Sequence, residues 1–549
     1  MPHNLGSGMR ALLICPEFPL SFWSLSKTSR LTGCKALLPP LGLLTVAALL
    51  PSTWELRLAD LNTTKLTNAD WQCADLILIS AMYIQKDGLW ALTREAKQRG
   101  KTVVAGGPYP TSMPEEVLAA GCDFVVRGEG ENTIPLLLEA MKNGQAGIVE
   151  NLEKPDLTAS PIPRFDLLRL NDYRSMAIQT SRGCPFDCEF CDVVNLFGHT
   201  LRHKTPGQVI VELETLYRLK VAGDLFICDD NFIGSKRQAR TLLQELGRWS
   251  KERGKPFNFM TQASVNLGQD LEMMNLMTEA NLGEVFIGIE SPDKKVLETS
   301  HKYHNLKDSL TESVNNLKNH GIAVFGSFII GLDGETAGAG RRIGAFMEQT
   351  DMAVAMLGML QASPHTKLWD RLRREGRLRD EVGVNGGTFA ALNYDPDRPE
   401  IEIMEEYAEA WEQIYEPSRY LKRAYRNYLA MPPPRRSLTV AREAPPSRDS
   451  VSNHKMTWRQ RFYEVRALLM LIWWQGIRAP YRRQFWRQLL GMWRQNPGRF
   501  TKYLEACAIG EDLFEMRRTV RAKVAANMQE RWREADAGAS ERISIDRER

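Results

Sequence analysis

Short apolar runs alternating with helix-patterned stretches recur twice along this chain, and that alternation limits the fold more than any other feature. A run such as Ala11-Leu-Leu-Ile14 is too short for a core helix and too apolar for an exposed strand. It suits a strand buried on both faces, which a parallel sheet with helical crossovers provides. In the first series the pattern predicts strands at Met9–Ile14, Trp54–Ala59, Leu76–Ser80, Thr102–Ala105 and Phe124–Arg127. Helical patterns fall between and beside them at Leu41–Leu50, Gly88–Arg99, Pro114–Ala120 and Glu131–Lys142. The fold class is therefore α/β, beginning with a doubly wound, flavodoxin-like (Rossmann-type) sheet over residues 1–145.

Residues 146–175 carry Pro155, Pro161 and Pro163 with little periodicity and are expected to be a linker. A second βα series follows over 176–400, with strands at Ile178–Ser181, Asp224–Cys228, Phe257–Gln262, Glu284–Ile289, Ala323–Ile330 and Met356–Gln361. Six units suggest an open, partial (β/α)6 barrel with its chemistry at the strand C-termini. Beyond about residue 400 the texture is helical only, with Glu405–Asn427 amphipathic, 432–455 a low-complexity insert and 536–549 a disordered tail. A chain of 549 residues has room for such a three-part layout. Its net charge of +4 supplies no field that would draw nucleic acid. No unbroken apolar run has the length of a membrane span, and no signal-peptide layout opens the chain, so the expectation is a cytoplasmic protein.

The nine cysteines are not a disulfide framework. Six are scattered singly, while Cys184, Cys188 and Cys191 share the segment Ser181-Arg-Gly-Cys-Pro-Phe-Asp-Cys-Glu-Phe-Cys191, just after a strand. Three thiolates on one tight loop suit three irons of a four-iron cluster, with the fourth open to another ligand. The alternative is a structural zinc site, in a chain that is a binding module and not an enzyme. It needs a fourth ligand, for which His199 or His203 would serve.

The CxxxCxxC segment resembles that of the radical S-adenosylmethionine (SAM) superfamily. That resemblance implies a 4Fe–4S cluster held by Cys184, Cys188 and Cys191, and SAM on its open iron. It also implies SAM contacts along the following strand ends. Phe190 matches the family's aromatic position near the adenine. Asp229, Asp230 and Asn231 follow the second strand, facing the methionine amino group. Gly288-Ile-Glu290-Ser291 ends the fourth, at a ribose or carboxylate position. Ser327-Phe-Ile-Ile-Gly331-Leu-Asp-Gly-Glu335 resembles the family's GxIxGxxxE stretch, with Ser327 in place of the first glycine. Where relatives often carry Pro-Gly-Thr, this chain has Pro364-His365-Thr366, so His365 either alters the loop or lends the cavity a polar group. Each element also has a plain reading as a turn or a helix cap.

The first 145 residues resemble a cobalamin-binding domain. The matching elements are Ser80 and Met82 after the third strand, Gly106-Gly107-Pro108 after the fourth, and Gly128-Glu129 after the fifth. Many such domains carry a cobalt-ligating histidine in DxHxxG after the first strand. This chain reads Cys15-Pro-Glu-Phe-Pro-Leu-Ser-Phe-Trp-Ser24 there, and no histidine lies between His3 and His199. The lower face of a bound cobalamin therefore receives no histidine from this domain.

Together the two resemblances imply a cobalamin-dependent radical SAM methyltransferase acting on an unactivated carbon, supplied with electrons by a reductase, flavodoxin or ferredoxin. The subgroup with a helical C-terminal extension, which includes hopanoid C-2 methylases and bacteriochlorophyll side-chain methylases, is the most similar. An apolar, polycyclic or lipid substrate is the expectation, with a tetrapyrrole side chain or non-methylating oxidative cyclisation as alternatives. Between Trp458 and Arg499 lie five tryptophans and nine arginines with one acid, Glu464. Such a segment either packs its tryptophans on the barrel, the favoured expectation, or lies through 456–510 on an anionic bilayer as a peripheral membrane contact.

Overall fold

The computed structural model describes residues 8–379, 392–434 and 458–548, with side chains described between 462 and 529 in the last segment. Apart from residues 432–434, the expected low-complexity insert lies outside the described residues.

The first sheet is made of β1 (Arg10–Cys15), β2 (Glu55–Asp60), β3 (Leu76–Ser80), β4 (Thr102–Gly106), β5 (Phe124–Gly128) and β6 (Gly147–Asn151). All six strands pair in parallel, in the order β2-β1-β3-β4-β5-β6. Apolar side chains leave the sheet on both faces. Leu12, Ile14, Ile77 and Ile79 pack into one core, and Leu13, Leu76, Leu78 and Leu137 into the other. The order reverses between β1 and β3, so their C-terminal ends open the crevice in which such sheets take ligands.

The expectation of a linker over 146–175 needs correction. Gly147–Asn151 is the sixth strand of the first sheet, and Leu157, Phe165 and Tyr173 farther along are buried. Its signal was weak because an edge strand buries one face only, and here Gly147, Val149 and Asn151 alternate with exposed positions.

The second sheet contains β7 (Ser175–Ile178), β10 (Gly223–Ile227), β11 (Phe257–Ala263), β12 (Leu282–Glu290), β13 (Ala323–Ile330) and β14 (Ala355–Met359). These six are parallel in sequential order, a curled half-barrel. Two short strands, β8 (Ser181–Arg182) and β9 (Arg202–His203), form an antiparallel ribbon at its upper end. The two faces of the half-barrel differ. Leu225, Phe259, Val285, Ile287 and Phe328 are almost fully buried beneath helices. In register on the other face, Phe226, Met260, Phe325, Ile329 and Met356 are only half-buried. That concave face mixes these apolar side chains with Gln262 and Ser327, and with Asp224, Asn258 and Glu284 towards the strand starts.

The amphipathic stretch at 405–427 is two helices, Glu400–Ile414 and Pro417–Ala430. Pro417 takes the first helical position of the second, where its missing N–H costs nothing. The expected tail at 536–549 is likewise corrected, since the last helix runs Phe500–Glu548 through a sequence rich in Ala, Arg and Glu, all strong helix formers. Trp411, Tyr415, Tyr420, Phe485 and Tyr503 join the barrel core, so the helical region is built onto the barrel. Three tryptophans of the 458–499 segment do not follow them. Trp473, Trp486 and Trp493 are 52%, 38% and 60% exposed, against the expectation that they pack on the barrel. Among the described residues no helix is long and apolar enough to cross a membrane.

Candidate active site

The cysteine loop springs from the β8–β9 ribbon and is held from below by two acids. Asp229 is fully buried and accepts from the backbone N–H of Thr180 (2.7 Å) and Ser181 (3.0 Å), from Ser181 Oγ (2.7 Å) and from Thr180 Oγ1. A carboxylate has about four acceptor positions, and these bonds occupy them. Asp229, expected to meet SAM, therefore fixes the chain into the loop instead. Asp230 accepts from Gly183 N at 3.0 Å, and burial, reinforced by Asp229, pushes its pKa up to about 7. Gly183 (φ +98°) is required, since a Cβ there would lie 2.8 Å from Thr200 O and 2.9 Å from Gly198 O. Cys184 N then donates to Gly198 O at 3.2 Å and Cys191 N to Cys188 O at 3.1 Å. Burial pushes all three thiols up, Cys191 to about 12.

Sequence reasoning named Glu290 but missed Lys302, His304 and Arg371, which complete the wall facing this loop. Lys302 is buried with its Nζ 2.7 Å from Glu290 Oε1, and lies 5.8 Å from the Phe190 ring centroid. Burial works against its ammonium, but Glu290 and the neighbouring thiols outweigh that and raise its pKa. Glu290 takes a left-handed backbone (φ +64°) and also accepts from Ser327 Oγ at 3.3 Å, the serine that replaces the family's glycine. A Cβ at Gly288 would fall 2.4 Å from Glu290 Oε1 and 2.9 Å from Lys302 Nζ, so the glycine makes room for the ion pair. Beside them the His304 ring stacks on Phe186 at 3.7 Å. Burial, then Lys302 and Lys307, depress its pKa to about 3, which keeps the imidazole neutral. From the other side Arg371 grips Glu189 through Nε (3.0 Å) and Nη2 (2.9 Å). The loop is clamped before any cofactor arrives.

The remaining predicted contacts divide. Asn231 Nδ2 is buried without a protein acceptor, while its Oδ1 accepts from Ser264. Ser291 Oγ accepts from Asp293 N at 3.1 Å within its own turn. Glu335 Oε2 closes the Gly331 turn at 3.0 Å, leaving Oε1 buried without a donor. His365 explains its own oddity. Its φ of +65° is the conformation glycine adopts at no cost, and its Nε2 lies 2.9 Å from Ser112 O in the first domain. It joins the two domains. His199 is exposed, 3.8 Å from Asp187, and His203 belongs to β9. Among the described residues no three His, Cys, Asp or Glu converge on one metal ion, and thiolates that each bind a different iron of a cube sit farther apart than ligands of one zinc.

In the first domain, Ser80, Met82, Gly106, Gly107 and Pro108 lie together at the ends of β3 and β4. Met82 is 49% exposed. Gly107 (φ +101°) brings the two ends together, since a Cβ there would lie 2.7 Å from Ser80 Oγ. Beneath them the Tyr83 and Tyr109 rings pack at 5.6 Å, with Trp90 and Ser112 as polar neighbours, and form the floor of this crevice. Gly128 and Glu129, expected to touch cobalamin, are otherwise engaged. A Cβ at Gly128 would fall 2.1 Å from Asn151 O of β6. Glu129 is buried and pairs with Arg182 Nη1 (2.6 Å) and with Arg202 Nη2 (2.8 Å), both from the barrel. Glu131 joins Arg182 at 2.9 Å. Burial alone would raise the Glu131 carboxyl, but Arg182 outweighs it and holds it low.

A Rossmann-type domain ion-paired to a half-barrel that carries three clamped cysteines defines a cobalamin-binding radical SAM architecture. The sequence matches the B12 binding domain over residues 32–138, the Radical SAM superfamily over 178–342 and a domain of unknown function over 366–526. It is 44% identical over 523 residues to an uncharacterized methyltransferase of Synechocystis sp., covering 95% of this chain and 94% of that one. It is 32% identical over 487 residues to the hopanoid C-2 methylase of Rhodopseudomonas palustris, covering 87% and 88%. Among solved structures, the cobalamin-dependent SAM radical enzyme OxsB with aqua-cobalamin and SAM bound shares the fold at a TM-score of 0.57, with 14% identity over 95% of this chain and 81% of that one. The chain belongs to the cobalamin-dependent radical SAM methyltransferases, and its cofactors are a 4Fe–4S cluster, SAM and cobalamin.

Proposed function

We propose that this methyltransferase adds a methyl group to an unactivated carbon of an apolar polycyclic substrate, and that a hopanoid methylated at C-2 is that substrate. The observation carrying this reading is the concave face of the half-barrel. Phe226, Met260, Phe325, Ile329 and Met356 line it half-buried, and the Trp23 ring reaches in from the first domain to 5.1 Å from Phe286. The apolar part of such a surface gains from an apolar guest roughly 25 cal/mol per Å² covered, and Gln262 and Ser327 on the same face offer polar groups to orient it. The hopanoid methylase relative supports the choice of substrate.

In this reading Cys184, Cys188 and Cys191 hold the cluster, and Phe190, Asp230, Asn231, Ser291 and the Glu290–Lys302 pair surround SAM. Gly331 and Glu335 shape the adjoining turn. Ser80, Met82, Gly106, Gly107 and Pro108 border the cobalamin. The bound cofactors supply hydrogen abstraction and methyl donation, which no side chain can perform. The chain's own part is to orient them, exclude water and keep neutral imidazole and paired charges around the loop. A lipid substrate would also place the protein at the inner face of the membrane, through residues 456–510, with a flavodoxin or ferredoxin as electron donor.

The test is anaerobic turnover with SAM, reductant and a hopanoid, read by mass spectrometry. The expected result is a product heavier by one CH₂, with S-adenosylhomocysteine beside 5′-deoxyadenosine. 5′-Deoxyadenosine alone would mean non-methylating chemistry. A methylated tetrapyrrole with unchanged hopanoid would overturn the substrate.

A further inference from the structure

The helical extension carries a surface that the methyl-transfer site does not use. Along the helix Trp458–Leu471 and the π-helical turn Ile472–Arg478, Phe462, Val465, Leu469, Trp473 and Ile477 follow one another at three- and four-residue steps. That spacing puts them on one face, and every one is at least half exposed. The next helix, Arg482–Gln495, adds Trp486, Leu490 and Trp493 at the same spacing, all exposed. The two stripes adjoin, because Trp486 Nε1 donates to Gly476 O at 2.9 Å.

These side chains are not exposed for want of packing. The opposite sides of the same helices are buried through Leu471, Phe485, Leu489 and Met492. Gln475 Nε2 donates to Cys507 O (2.9 Å) and Glu511 Oε1 (2.8 Å). The helices are anchored, and their outer face is apolar by composition.

Its rim is cationic. Arg466, Arg478, Arg482, Arg483, Arg487 and Arg494 are exposed, and among the described residues none of them forms an ion pair. Glu464 is the only acid between 458 and 499. A face meant for a second copy of itself would set arginine against arginine. A neutral protein partner would leave that charge unanswered. Tryptophan and leucine ringed by unpaired arginine match the interface of an anionic bilayer, where indole sits at headgroup level and each cation gains from the surface potential.

We infer that the face formed by residues 462–494 docks on an anionic phospholipid bilayer. The same face adjoins the first domain, where Tyr463 covers Gly33. Nearby, Phe18, Leu20 and Trp23 are exposed on the loop that reaches the concave barrel. A route for a lipid from the bilayer past this loop rests on the proposed substrate; docking itself does not.

The experiment is sedimentation of the full-length protein with vesicles, without SAM or hopanoid. One set is phosphatidylcholine alone and the other holds about 30% phosphatidylglycerol. Expected is binding to the anionic vesicles at least about tenfold tighter than to neutral ones, lost in about 0.5 M salt. Trp473→Ser with Trp493→Ser, and separately Arg482→Gln with Arg483→Gln, should each weaken it about tenfold while the melting temperature holds, since all four side chains are exposed. Equal binding to both vesicles, no binding, or a dimer that these variants dissociate would overturn the inference. Methyl transfer to detergent-solubilised hopanoid is measured apart, so each reading can fail alone.

Discussion

Glu129 offers the sharpest test of how the two catalytic domains are joined. It lies in the first domain, next to the β5 end, yet both its oxygens are occupied by barrel arginines: Oε2 by Arg182 Nη1 at 2.6 Å and Arg202 Nη1 at 3.0 Å, and Oε1 by Arg202 Nη2 at 2.8 Å. With Glu131 the group holds two acids and two arginines, all about nine-tenths buried or more. Glu129→Gln leaves one buried cation without a counter-charge. Removing one partner of such a set costs about 3–5 kcal/mol, because the remaining charge keeps its desolvation penalty and loses its attraction. For a cooperative unit of about 370 residues, at roughly 2.1 cal/mol/K of unfolding entropy per residue, each kcal/mol is ~1.3 °C in Tm. Calorimetry should therefore show the transition containing the first domain and barrel falling by roughly 4–6 °C. The double variant Glu129→Gln, Arg202→Met restores charge balance and should melt above Glu129→Gln alone. Bound cobalamin, read by its visible absorbance after desalting at low temperature, should change little. Additive losses in the double variant would refute the linked-charge argument. A Glu129→Gln protein that melts normally yet releases cobalamin would restore this residue to the cofactor's contacts.

Three further outcomes follow from the same geometry. Asp229→Leu removes the carboxylate whose Oδ1 accepts from two buried backbone N–H groups and whose Oδ2 accepts from two hydroxyls. At about 1–3 kcal/mol per buried unmet group, iron per chain after anaerobic reconstitution should drop sharply while the first domain keeps its cobalamin. Lys302→Met should lower the cluster's midpoint potential, measured by EPR titration, and Glu290→Gln should raise it, because the pair's charges have opposite signs beside the thiolates. Shifts of the same sign would refute that placement. Glu335 is buried and its pKa is raised from 4.5 to about 7. The folded state then holds a proton that the unfolded chain has released, so its stability contribution is full below pH 4.5 and is lost as pH rises towards 7. Glu335→Gln should gain on the parent between pH 5 and 8, by up to about 3 kcal/mol; a parallel pH dependence of Tm in both proteins would contradict it.

What could be read from the sequence alone depended on where each signal resides. Strands buried on both faces announce themselves, and eleven of the fourteen observed strands answer to runs read from local pattern, although the run expected at Ile178–Ser181 shares only Ile178 with β7. The exceptions are β6, an edge strand, and the two-residue β8 and β9, too short to carry a period. The cysteine loop was legible because three thiols within eight residues have few other uses. Tryptophan exposure was misjudged because amphipathic spacing reports that a helix has two faces, not which of them meets the barrel.

The acids show the deeper limit. Asp229, Asp230, Glu129 and Glu290 all sit at or just beyond strand ends, where ligands bind, and local sequence cannot tell them apart. Their fates are decided by distant partners. Asp229 meets Thr180 and Ser181, forty-nine and forty-eight residues away, Glu129 meets Arg202, seventy-three away, and Glu290 meets Lys302, twelve away beyond the helix Lys294–Thr299. A buried carboxylate must find donors or a cation, so an acid that the fold already satisfies is a support for the site, whereas one left open at a strand end is a candidate to touch what binds there. By that criterion Asp230, with one backbone donor and a half-buried side chain, is an acid the fold leaves partly unsatisfied beside the cysteine loop, and Asp229 next to it is the reason the loop stands there.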